Sequence, residues 1–348
     1  STGTGVLQVV SDFLDPDDEF ATLRTMVAVS GRPMSISVAR NPMVPDAYRT
    51  ILDHISAANA DGLTMTGQVA PRAVGLILGL ECTLNPFLTN PVYREIADRP
   101  LAERVATLRD PAFRERLLAE AGERNRAKLG GSLVTRFALL FEMADEPDYE
   151  PSLDTSIAAR AARTGQQPEE LALDAMLAGD GHGLIYLPFL NYVDGSLDAC
   201  HEMLVHPHTV PGLGDGGAHV GTICDGSFPT TLFSYWGRDR DHDRIPLPFL
   251  VQRHCRDTAR TVGLHDRGVI APGYRADLNV VDFDNLRLHK PTIVHDLPAD
   301  GRRLLQRADG WVHTVVAGRE TYHDGEPTDA LPGRLVRGAQ AAPAGAPS

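Results

Sequence analysis

The chain has 348 residues, 43% of them apolar, and a formal net charge of −13 at neutral pH. That length exceeds an average domain, fits one large barrel, and suffices to bury a sizeable core. The acidic balance argues against nucleic acid and anionic membranes as partners, and no apolar run reaches the length that spans a bilayer. Cys82, Cys200, Cys224 and Cys255 lie far apart without zinc-type spacing and read as reduced thiols of a cytoplasmic protein. The first residues, Ser-Thr-Gly-Thr-Gly, carry neither an initiator Met nor a signal-peptide pattern. The chain therefore reads as processed, or as a piece of a longer one.

Residues 5–11 form a short apolar run rich in β-branched side chains, expected to be a buried strand. Residues 15–29 read as a helix with an acidic first turn, which the helix dipole favours. A second strand is expected over 34–38. A second helix follows over 46–60, with Ile51, Leu52 and Ile55 at core spacing, and a third strand over 63–69. This alternation predicts an α/β fold with parallel crossovers. The apolar run 73–80 reads as helical. A long, mostly helical insertion is expected over about 85–180, with a strand candidate at 133–140 and helices at 156–163 and 168–177. Residues 183–191 read as another buried strand and 196–205 as a helix. After a helix over 247–262 the texture becomes turn-punctuated and β-rich. A boundary is placed near residue 266, with a small β segment over 267–338 and a disordered tail over 339–348.

The most unusual stretch is Val210-Pro-Gly-Leu-Gly-Asp-Gly-Gly-Ala-His-Val-Gly221, closing at Cys224-Asp225-Gly226. Its glycines can take backbone angles closed to other residues and leave room for a ligand. Asp215 would sit at the end of a short strand, where barrel enzymes hold their catalytic groups; the competing reading is a turn-forming Asp. His219, four residues on, can reach the same mouth as a second catalytic candidate, binding a metal or hydrogen-bonding a tetrahedral intermediate, or it can order the loop. His206-Pro-His208 is literally a His-x-His, but its central Pro disfavours an inner strand.

Together with Gly268, Ile270, Gly273, Ala276, Asp277 and Leu278 of the 263–278 segment, this stretch resembles the amidohydrolase superfamily, and within it the N-acyl-D-amino-acid deacylases (D-aminoacylases). The resemblance implies a partial TIM-like (β/α)8 barrel over 1–266 followed by part of a small β-sandwich. It implies a hydrolase of non-peptide C–N (amide) bonds, with Asp215 as the proton-shuttling carboxylate and as a contact for zinc or another divalent metal. The first barrel strand of such enzymes, with its metal-binding His-x-His, has no counterpart here. The two strands expected to carry further histidines read Ser-Ile-Ser-Val-Ala-Arg and Gln-Val-Ala-Pro-Arg. Most metal ligands are therefore expected upstream. The alternative is a non-catalytic protein or one half of a split complex. A homo-oligomer or a complementing N-terminal barrel portion is the expected partner. The implied substrate is an N-acyl amino acid or a related amide. Arg40 and Arg72, just past two strand ends, suit its carboxylate, and Gln68 and Asn191 suit its amide. Asp225 and Cys224 lie in a loop over the same mouth, the latter read as a packed thiol.

Overall fold

The computed structural model describes residues 3–120, 132–212, 214 and 219–345. The chain opens with β1 (Leu7–Val9), α1 (Pro16–Ser30), β2 (Met34–Val38), α2 (Ala47–Ala60) and β3 (Met65–Val69). Helix α1 begins where sequence chemistry says it should. The Asp15 carboxylate accepts from the Asp18 N–H, and Gly31 closes the helix in a left-handed conformation. The middle of the chain supplies β4 (Val74–Leu78), α3 (Pro91–Arg94), α4 (Leu101–Arg109), α5 (Pro111–Ala119), β5 (Phe141–Glu142), α6 (Ile157–Thr164), α7 (Pro168–Gly181), β6 (Ile185–Leu190), α8 (Asp198–Val205) and β7 (Thr209–Pro211).

The main sheet is parallel, in the order β1-β2-β3-β7. Alternation along these strands separates two faces. Met34, Ile36, Val38, Met65 and Val69 pack against Phe20, Leu23 and Val27 of α1 and Ile51, Leu52 and Ile55 of α2. The register places Gln8, Ser35 and Thr66 side by side on the other face, with Ser37 beside Gln68. A parallel sheet with helices on its apolar face is the α/β arrangement expected from the sequence.

Two expectations change in the middle of the chain. Residues 73–80 are not helical: Val74–Leu78 is a strand, antiparallel to β6. The strand candidate at 133–140 is instead turns and a short 3-10 helix at Phe137–Leu139, with the strand displaced to β5. Strand β6 therefore belongs to a second, antiparallel sheet, β4-β6-β5, and not to the parallel one. Leu78, Phe87, Tyr93, Leu108, Ile157, Leu173, Met176 and Ile185 make a second core between that sheet and the surrounding helices.

Beyond β7, α9 (Phe228–Ser234) runs into a π-helical turn, and α10 (Leu247–Gln252) precedes the β-rich end. That end comprises β8 (Leu278–Val281), β9 (Arg287–Leu288), β10 (Thr292–Leu297), β11 (Gly301–Leu305), β12 (Ala308–Asp309), β13 (Trp311–Val316), β14 (Arg319–His323) and β15 (Glu326–Pro327). These form a four-stranded antiparallel sheet, β15-β14-β13-β8, and two strand pairs. Trp311 fastens this region to α9, edge-on to Phe233 with its indole N–H on Thr230. Near the chain end Gln340 exchanges backbone hydrogen bonds with Gly263 and His265. No helix among the described residues is long and apolar enough to cross a membrane.

Candidate active site at the strand ends

The C-terminal ends of β3 and β7 lie side by side, because Gly212 N–H donates to the Val69 carbonyl at 2.9 Å. A Cβ at Gly212 would meet Gln68 at 3.4 Å, so Gln68 flanks the exit of β7. Asp215, the expected proton shuttle and metal contact, lies outside the described residues. The chain is described again from His219, which is exposed with φ +52°. The His219 carbonyl accepts from Thr222 and Ile223, so its backbone turns the loop. The next residues are tied down on both sides. Ile77 N–H donates to Thr222 at 2.7 Å, and Leu304 N–H to Val220 at 2.7 Å.

Arg72 is the best-held charged group at this end of the sheet. It is 3% exposed. Its guanidinium donates to the Cys224 carbonyl at 2.8 Å and to Ser227 Oγ at 3.1 Å. It faces Asp225, itself 5% exposed, at 3.7 Å. The Tyr149 ring lies 3.8 Å from the guanidinium carbon and the Phe228 ring 4.8 Å. A buried cation demands such partners, and aromatic faces supply the rest. Burial raises the Tyr149 phenol, an effect softened by Arg72. Burial pushes the Cys224 thiol up to about 11, which keeps it protonated at neutral pH and a poor nucleophile.

Arg40 and Asn191 come together, as a brace. The Asn191 carbonyl oxygen accepts from the Arg40 backbone N–H at 2.7 Å, and its amide donates to the Arg72 carbonyl at 3.4 Å. Asn191 is wholly buried with φ +67°, a conformation that asparagine tolerates better than most residues. It therefore fixes the ends of β2 and β3 relative to β6. The Arg40 guanidinium donates to the carbonyls of Pro45 and Val193 and to Asp194. Gln68 donates to Ser35 Oγ at 2.5 Å on the polar sheet face. His206 is half-buried just before β7, its Nε2 3.2 Å from Ser56 Oγ, and burial lowers its pKa.

A cavity of about 280 Å³ opens at these strand ends, walled by Pro71, Pro211, Gly212, Asp225, Phe228 and His254. His254 belongs to this wall. It stands edge-on to Phe233, and burial lowers its pKa, which favours the neutral imidazole. Nothing in its local sequence signals this, since the cavity wall is assembled from distant segments.

Divalent zinc takes imidazole, thiolate or carboxylate ligands. The polar face of β1, β2 and β3 offers Gln8, Ser35, Ser37, Thr66 and Gln68, all neutral. Ser37 Oγ is buried without a hydrogen-bond partner among the described residues. Arg72 adds a cation just beyond. These side chains do not fit a metal, and ligands for one have to come from elsewhere.

A family model described as the amidohydrolase family matches residues 2–322. Two 5-methylthioadenosine/S-adenosylhomocysteine deaminases, from strains DSM 10664 / DCB-2 and Y51 of Desulfitobacterium hafniense, are each 35% identical over 85 residues. Those matches cover 22% of this chain and 20% of each deaminase. A crystal structure of D-aminoacylase is similar at a TM-score of 0.48 with 16% identity, covering 93% of this chain and 54% of that one. The chain thus spans about a fifth of the curated relatives and about half of the solved structure.

Proposed function

Since the chain belongs to the amidohydrolase family, we propose that it works as a hydrolase of non-peptide carbon–nitrogen bonds, with an N-acyl-D-amino acid as the substrate class. The observation that carries this reading is the family match over residues 2–322. In it, Asp215 takes the proton of the attacking water and passes it to the leaving amine, work that suits a carboxylate. Gln68, beside the exit of β7, is the amide-facing group, and Asn191 supports the strand ends that carry it. The substrate carboxylate falls to Arg40 or Arg72, either of which would exchange present contacts to grip it. His219 serves to set the loop. The setting proposed is cytoplasmic, in keeping with four cysteines that are all free. The family supplies the expectation of zinc or a similar ion. Its ligands would be Asp215 and residues outside the polar sheet face.

The test is release of free amine from N-acyl-D- and N-acyl-L-amino acids by zinc-supplemented protein. The D series is expected to react faster, and Asp215→Asn to lower kcat/KM by at least about 100-fold. Equal rates in wild type and variant would remove the proton-shuttle role.

A second reading rests on the neutral face of β2 and β3 and on the edge of β1, which is unpaired among the described residues. Here the chain is one part of a larger barrel, completed by a second copy or by a separate N-terminal portion that brings the metal ligands. Activity that appears only when such a portion is added would favour it over the first reading.

A further inference from the structure

We propose that His313, Glu320 and His323 form a binding site for a divalent transition-metal ion on the outer face of the β13–β14 pair. The hairpin is folded so that these three residues meet. His313 pairs with His323 and Val315 with Glu320, with Thr321 left over between them as a bulge. In a regular strand Glu320 and His323, three apart, would point to opposite faces. The bulge restores them to the same one. A second irregularity between Trp311 and His313, against β8, lets Trp311 turn inward to Phe233 while His313 turns outward beside Val280.

The donor atoms converge. Glu320 Oε1 lies 2.6 Å from His313 Nδ1 and 2.9 Å from His323 Nδ1, and the two nitrogens are 3.2 Å apart. Ligands on a tetrahedral zinc at ordinary bond lengths stand about 3.3 Å from one another. The triangle therefore needs to open only slightly to seat an ion. Its members are 37%, 40% and 57% exposed, so an ion can enter and waters can complete its shell. The remaining nitrogen of His323, Nε2, faces Asp324 at 3.4 Å. A carboxylate behind a ligating imidazole fixes its orientation and raises its basicity. Without an ion, Glu320 bridges the two rings and holds the ligand geometry ready. The other cluster of this kind among the described residues, Asp198 with His242 and Asp243, is a weaker candidate, because Asp198 already holds the Arg240 guanidinium.

The experiment uses the full chain, stripped of metal and titrated with Zn²⁺ at pH 7.5 by calorimetry. It is repeated for His313→Gln, His323→Gln and Glu320→Gln, each checked by thermal melting without metal. Each His variant is expected to lose one zinc equivalent or to weaken that equivalent at least about tenfold, and Glu320→Gln to weaken it by a similar factor. Histidine-ring NMR of the wild type supplies a readout independent of the variants. The signals of His313 and His323, among 13 histidines, are expected to move with that equivalent. Identical isotherms in the wild type and the His313→Gln/His323→Gln double variant would overturn the proposal. So would unmoved signals for these two rings.

Discussion

Arg72 carries its charge where water cannot reach it, so its neighbours must replace hydration. Three hydrogen-bond acceptors, two aromatic faces and the Asp225 carboxylate do so. Removing one partner of such a pair strands the other. Arg72→Met is expected to cost about 3–5 kcal/mol. Arg72→Met combined with Asp225→Asn should cost clearly less than the two single changes together. Urea unfolding of the four proteins measures this coupling, and strict additivity would show that the two charges do not depend on each other. The sequence put Arg72 just past a strand end, and it stands three residues beyond Val69, the last residue of β3. What the sequence hides is the lid: Tyr149 comes from the middle of the chain and Phe228 from the start of α9. No local pattern announces that either ring will cover this guanidinium. The same holds for His254, whose burial depends on Phe233 and the exit of β7.

Among the elements, those with strong end signals were the legible ones. Helix α1 has its Asp cap, its acidic first turn and its terminal glycine, and α2 shows core residues at helical spacing. Strand β4 lacked such marks. A short, uninterrupted apolar run fits a buried strand or a buried helix equally well by periodicity. Its identity is decided by a neighbour, since a Cβ at Gly75 would sit 2.5 Å from the Tyr186 ring of β6. The entry to β6 is tighter still. A Cβ at Gly183 would lie 1.8 Å from the Ala175 carbonyl oxygen, on the backbone of α7. Backbone cannot step aside as a side chain can, so Gly183→Ala has to push α7 away from the antiparallel sheet. A loss of at least about 3 kcal/mol is expected, the upper end for overpacking, and denaturant melts will measure it. A melt within 1 °C of wild type, a far smaller shift than such a loss gives, would mean that α7 does not pack here as described.

At the scale of the whole molecule, the segments before Gly214 and after His219 are closely interlocked. Ile77 exchanges hydrogen bonds with Thr222, and Thr83 N–H donates to Gly221. Trp236 reaches back to the Pro71 carbonyl, Gln306 to Tyr149, and Arg253 to the carbonyls preceding and within β7. Glu150 gathers Tyr235, Arg240 and the Leu197 N–H into one partly buried knot. One hydrophobic core draws on both segments, joining Ile36 and Val69 to Leu232, Trp236 and Leu304. This long-range stitching was the least legible property of the sequence, because it depends on contacts between residues far apart in the chain. It has a consequence for how the protein could be encoded. With so many contacts joining them, the two segments are expected to associate even when they come from separate reading frames. Co-expressed as separate products, 1–214 and 219–348 should assemble into a one-to-one complex that purifies through a tag on either piece. Recovery of each piece alone would show the seam to be too weak. A gene for this fold could thus be divided at that point and its products still find each other.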